Sequence, residues 1–178
     1  MAARRSVIGL IGLVLAGSAS AAEVDPATTD LVSLIECKAD IKSYNGFAIW
    51  LASEPGAAGK LGWQKVPSDN PFLEEYRMAS PVGVFGHQTS SIAFTATGPM
   101  AVLDDISPQD LAKSLGLTPV VAAAGGKFMA EKVIIDAKEQ DAGTTFSTYV
   151  TLNVSNVDTH PGKTLAGCSY NLDVTVAQ

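Results

Sequence analysis

From Cys168 to Val176 apolar and polar side chains alternate without interruption. Cys168, Tyr170, Leu172, Val174 and Val176 fall to one side, and Ser169, Asn171, Asp173 and Thr175 to the other. A period of two is the geometry of a β-strand, whose successive side chains point to opposite faces. One apolar and one polar face place such a strand in an antiparallel sheet that is covered on one side and solvated on the other. The rest of the chain must therefore supply neighbouring strands and a cover.

Candidate neighbours are plentiful. Val150, Leu152 and Val154 alternate with Tyr149, Thr151, Asn153 and Ser155, and Phe128–Ala137 carries Val133, Ile135 and Ala137 at the same period. Earlier strand-like stretches are Leu61–Val66, Phe72–Met78, Val82–Phe85 and Ser91–Ala96, followed by a short apolar run, Met100–Leu103. The cover reads as helix. Thr28, Thr29 or Asp30 offers a cap, and Leu34, Cys37, Ile41 and Tyr44 then recur at spacings of three and four, one helical face. Asp40–Ala52 continues as helix with a break or kink at Asn45-Gly46, a dipeptide that also suits a hairpin turn. Ser107-Pro108-Gln109-Asp110 has the cap, the first-turn proline and the acidic residue of a helix start; Gly116 and Pro119 stop that helix. The order is helix, three or four strands, helix, three strands. It specifies an α+β fold with two or three helices on a mainly antiparallel sheet, in the order expected of a divergent tandem duplication of a helix-plus-three-strand unit.

The 178 residues fit one domain, and 47% hydrophobic against 17% charged residues excludes a disordered chain. Residues 1–21 read as a cleavable signal peptide. Arg4 and Arg5 form a basic start, Val7–Ala16 a short apolar stretch, and Ala19 and Ala21 the small residues a signal peptidase requires. The apolar stretch is half of the roughly 20 residues that span a bilayer. No membrane span remains in residues 22–178, which read as a single α+β domain in the periplasm or outside the cell. Cleavage removes two arginines, leaving 10 basic against 18 acidic side chains and a net charge of −8. That sign disfavours nucleic acid and favours basic partners.

Cys37 lies on the apolar stripe of the first helix and Cys168 on the apolar face of the last strand. Both are expected to face one core, and export keeps them where disulfides persist, so a structural Cys37–Cys168 disulfide is expected.

Other chemistry is sparse. His87 and His160 lack metal-ligand spacing, so no metal site is expected, and no cofactor either. There is no Gly-x-Ser-x-Gly elbow, and no catalytic residue is assigned. Glu74-Glu75 would point to opposite faces of a strand, and Asp104-Asp105 reads as turn chemistry. Gly125-Gly126-Lys127 lacks the spacing of a phosphate loop, Asn153-Val154-Ser155 is a glycosylation sequon inside a strand, and Leu165–Cys168 spells a lipobox far from any leader. Trp63, Tyr76, Phe85 and His87 sit on adjacent strand segments and form the candidate partner-binding surface, because aromatic side chains on a sheet serve as hot spots.

The order of elements resembles the tandem α+β units of the β-lactamase inhibitor protein. It also resembles small α+β lipoproteins of outer-membrane assembly, in which a helix ending in Leu-Gly and Pro precedes a meander, as Leu115-Gly116 and Pro119 do here. The resemblance implies protein binding across a concave sheet. The Ser-Gly-Ser loop motif of one lysozyme-inhibitor family is absent. The expected function is non-enzymatic binding of another envelope or extracellular protein, inhibitor-like or accessory. A structural factor in envelope assembly and a hydrolase with a dispersed site are the alternatives.

Overall fold

The structure, a computed structural model, describes residues 25–68 and 70–176. The expected signal peptide, residues 1–21, lies outside them. After a short 3-10 turn, Pro26–Thr28, come helices α1 (Leu31–Ile35), α2 (Ile41–Ser53) and α3 (Ala57–Lys60) and strands β1 (Trp63–Val66), β2 (Glu74–Val84), β3 (His87–Phe94) and β4 (Pro99–Leu103). Helix α4 (Pro108–Leu115) leads into β5 (Thr118–Ala122), β6 (Phe128–Asp141), β7 (Thr144–Ser155) and β8 (Thr164–Val176). The fold is α+β, as the sequence pattern requires: helices on one face of a single antiparallel sheet of eight strands, ordered β1-β2-β3-β4-β8-β7-β6-β5.

That strand order is two meanders joined where β4 meets β8. Each half is a helical segment plus four strands, not three. Each half passes from helix to first strand through a glycine of positive φ, Gly62 (70°) or Gly116 (67°). Each has a register irregularity in its second strand, between Arg77 and Val82 or between Val133 and Ile135. Each closes its central hairpin with two residues of positive φ, Phe85-Gly86 or Ala142-Gly143, whose twist matches that of the flanking strands.

The strand missed in the sequence is β5. Pro119 reads as a helix stop, and it also sits in a strand, because β5 is the sheet's edge and an edge tolerates a residue with no N–H. The two stretches Phe72–Met78 and Val82–Phe85 fuse into the irregular β2, with Pro81 in the irregularity. The continuous first helical stripe is also corrected. Asp30 caps α1 by accepting from the Val32 N–H at 3.1 Å, but Cys37 turns left-handed (φ 55°), and Asp40 caps a new helix through the Ser43 N–H at 2.7 Å. Helix α2 runs unbroken through Asn45-Gly46. Burial of the flanking Tyr44 and Phe47 outweighs the roughly 1 kcal/mol that glycine costs inside a helix. The start of α4 is as expected: Ser107 accepts from the Asp110 N–H at 3.1 Å, and Gly116 ends the helix in the left-handed region.

The main core lies between helices and sheet. Leu34, Ile35, Phe47 and Leu111 pack on Ile92, Leu103, Ala130, Val150, Val154 and Ala166. Tyr44 stacks on Tyr170 at 4.6 Å between ring centroids, and the Tyr170 hydroxyl donates to the Leu34 carbonyl at 2.8 Å. Cys37 and Cys168 are joined by a disulfide, their Cα atoms 5.2 Å apart, which ties the end of α1 to β8. On the opposite face Ala93, Val102 and Leu165 form a smaller cluster under Leu73 and Val157. At the seam the backbones approach closely: a Cβ on Gly167 would lie 2.1 Å from the Pro99 carbonyl oxygen.

Candidate functional site

The four aromatic and histidine positions expected to share a surface do not. Trp63 and Tyr76 join Phe47 and Phe94 in one aromatic cluster, with ring centroids 5.8–6.2 Å apart, and Tyr76 is 5% exposed. Burial, then the Glu74 carboxylate that accepts its hydroxyl at 3.0 Å, pushes the Tyr76 phenol up to about 12. Phe85 and His87 lie instead at the β2–β3 turn. The Phe85 N–H donates to Glu36 at 2.7 Å, and His87 Nδ1 meets Asp105 at 3.0 Å. Burial alone would raise the Glu36 carboxyl, but the Lys38 ammonium and the Phe85 N–H together hold it below its ordinary value. These contacts fasten the hairpin tip to the helix layer, which is a structural task.

His160 lies on the opposite face of the sheet from the helices. Its Nε2 is 3.2 Å from Glu75 on β2 and its Nδ1 is 3.1 Å from the Thr159 hydroxyl, so the pair pins the Asn156–Lys163 connection over the second cluster. The Glu74 and Glu75 carboxylates do not pair, one turned to Lys65 and the other to His160. Among the described residues no group of three or more His, Cys, Asp and Glu side chains is placed to hold a metal ion, and no helix is long and apolar enough to cross a membrane. Gly125-Gly126-Lys127 forms part of the turn between β5 and β6.

A row of exposed apolar side chains lies elsewhere, where β6, β7 and β8 outrun the core. The 13 residues of β8 extend about 44 Å at strand rise, whereas the 13 residues of α2 cover about 20 Å. The excess is a three-stranded ribbon made of Val133–Asp141, Thr144–Tyr149 and Leu172–Val176. Cross-strand partners share a face, so the pairs Ile135–Val150, Thr148–Leu172 and Phe146–Val174 fix its two sides. On the helix side stand Ile135, Ala137, Phe146, Leu172, Val174 and Val176, continuing the core stripe of Cys168 and Tyr170 past the end of its cover. Leu172, Val174 and Val176 are 41%, 54% and 67% exposed. On the other side stand Asp136, Lys138, Ser147, Asn171 and Asp173 together with Val133 and Tyr149, a mixed face with more polar than apolar side chains. Glu139 and Asp141 border the apolar side.

The alternation in the sequence located this face but not its lack of cover, since a period of two reports direction alone. The missing cover shows only when the length of β8 is set against the helices packed on it.

No protein-family model matches the chain, and no curated protein and no solved structure matches it.

Proposed function

We propose that the chain is an exported, non-enzymatic protein that binds another protein of the cell envelope or extracellular space through the apolar face of the β6–β7–β8 ribbon. The observation that carries this reading is the exposed row Leu172, Val174 and Val176 beside Ile135 and Phe146. A continuous apolar row left uncovered is the mark of an interaction surface, not of a solvated one. Glu139 and Asp141 at its border, on a chain of net charge −6, suit an apolar patch fringed with basic side chains. The leader-like residues 1–21 and the disulfide support a periplasmic or secreted location. The test is quantitative capture from envelope extract with the wild-type chain and with Leu172→Asn/Val174→Asn. The expected result is one or a few proteins retained by the wild type and lost by the variant at equal folded concentration. Equal retention by both overturns the ribbon as the contact.

One observation favours the hydrolase alternative: Thr159, His160 and Glu75 are linked hydroxyl to imidazole to carboxylate at 3.1 and 3.2 Å. A panel of activated esters separates the two readings. Turnover lost in both Thr159→Ala and His160→Ala favours the enzyme, and no turnover by the wild type favours the binding protein.

A further inference from the structure

The ribbon has an open edge as well as an apolar face. Strand β5 ends the sheet, but it pairs only with Phe128–Glu131 of β6. From Lys132 to Asp141, β6 pairs with β7 on one side and with no described strand on the other. Unpaired backbone N–H and C=O groups along such a stretch are a template for another strand, and edges are ordinarily blunted by charge, proline or cover. Here the open stretch holds five charged residues, Lys132, Asp136, Lys138, Glu139 and Asp141, beside three exposed β-branched ones, Val133, Ile134 and Ile135, so a strand that adds to it must match those charges.

We infer that this edge pairs with the same edge of a second copy of the chain, joining two eight-stranded sheets about a two-fold axis at Ala137. The charges along the edge are self-complementary about that residue. Asp136 comes opposite Lys138 of the second copy and Ile135 opposite Glu139. Ile134 is the extra residue at the register shift and is skipped, so Val133 comes opposite Gln140 and Lys132 opposite Asp141. Ala137 meets its own copy once, every other pair occurs twice, and no like charges meet.

Three further features agree with this axis. Ile135, Ala137, Glu139 and Asp141 share one face with Lys132, while Asp136, Lys138 and Gln140 share the other with Val133, so each pair is between side chains on the same face. The pairing also uses the open edge from end to end. It starts at Lys132, beyond the last residue held by β5, and stops at Asp141, before the Ala142-Gly143 turn. Finally, moving the axis by one residue sets Asp136 or Lys138 against its own copy, which is repulsive. A two-fold interface requires self-complementarity of this kind, and an unrelated partner strand does not.

The edge and the apolar face share Ile135, Glu139 and Asp141, but the substitutions at 136 and 138 lie on the face opposite Leu172 and Val174, so this inference and the proposed function fail separately. Sedimentation equilibrium of the purified, exported chain tests the dimer across a range of concentrations. The expected result is a reversible dimer in the wild type. Asp136→Lys alone, or Lys138→Asp alone, sets like charges opposite each other twice and should weaken dimerisation at least about tenfold. The combined variant Asp136→Lys/Lys138→Asp should restore it, with circular dichroism confirming that each variant is folded. A wild type that stays monomeric throughout overturns the inference, as does a dimer indifferent to the single substitutions or not recovered by the combined one. A monomer that still captures a different protein through Leu172 and Val174 overturns the dimer and leaves the proposed function standing.

Discussion

Removing the Cys37–Cys168 disulfide, whose Cys168 end is buried in the core, should be among the most damaging changes available. The bond closes a loop with a sequence separation of 131, and the chain-entropy relation gives about 5 kcal/mol at 25 °C for a loop of that length. Total stabilities of domains are about 5–15 kcal/mol, so the loss is a large fraction of the whole. At 2–4 °C per kcal/mol it lowers Tm by roughly 10–20 °C. The geometry adds a second, finer expectation. Cys37 holds a φ of 55°, where an alanine is strained and a glycine is not. Cys37→Gly/Cys168→Ala should therefore be more stable than Cys37→Ala/Cys168→Ala by about 0.5–1 kcal/mol. Equilibrium urea denaturation of the wild type and the two variants, all without added reductant, measures both differences. A loss below about 1 kcal/mol would refute the clamp, and a more stable alanine variant would refute the left-handed turn at residue 37.

Other consequences follow from single contacts. Gly167→Ala would place a Cβ 2.1 Å from the Pro99 carbonyl oxygen and 2.7 Å from the Met100 Cα, so thermal melts should show a loss of about 3 kcal/mol or more. Gly59→Ala, in helix α3 with nothing within 4 Å of its Cβ, is the control and should gain about 0.5–1 kcal/mol. Tyr170→Phe removes the buried donor to the Leu34 carbonyl and should cost about 1–2 kcal/mol by urea titration. Glu36 titrates below its ordinary value in the folded chain, so its stabilising effect is present above about pH 4.3 and lost as pH falls through the depressed folded value. Glu36→Gln should consequently flatten the acid limb of a stability–pH curve and leave its shape near neutrality unchanged.

How much of this could be read in advance differs from element to element. The facing of β8 is legible because alternation reports direction, and it places Cys168 toward the core, where Cys37 reaches it from a left-handed turn and not from a helical stripe. The helix start at Ser107 was legible because its capping chemistry is local. The break between α1 and α2 was not, because spacings of three and four run through Cys37 and no residue there announces a positive φ. Strand β5 was hidden by Pro119, a residue whose meaning depends on whether its strand lies at an edge. The candidate surface failed to gather for a related reason. Neighbouring strand segments brought Trp63 and Tyr76 together as expected, but large aromatic rings are also what a core recruits, and the helix layer that buries Tyr76 comes from a different part of the chain. The ribbon itself depends on the relative lengths of β8 and α2, a comparison that only the packed arrangement makes meaningful.

The most direct test of the ribbon as the contact surface is site-specific photo-crosslinking in the native compartment. A photoreactive side chain is placed at Val174 on the apolar face, and separately at Asp173 on the opposite face as the control. The expected result is a discrete crosslinked species containing a second, different protein from position 174 and none from position 173. Equal crosslinking from both positions, or a discrete species from position 173 alone, would contradict the assignment.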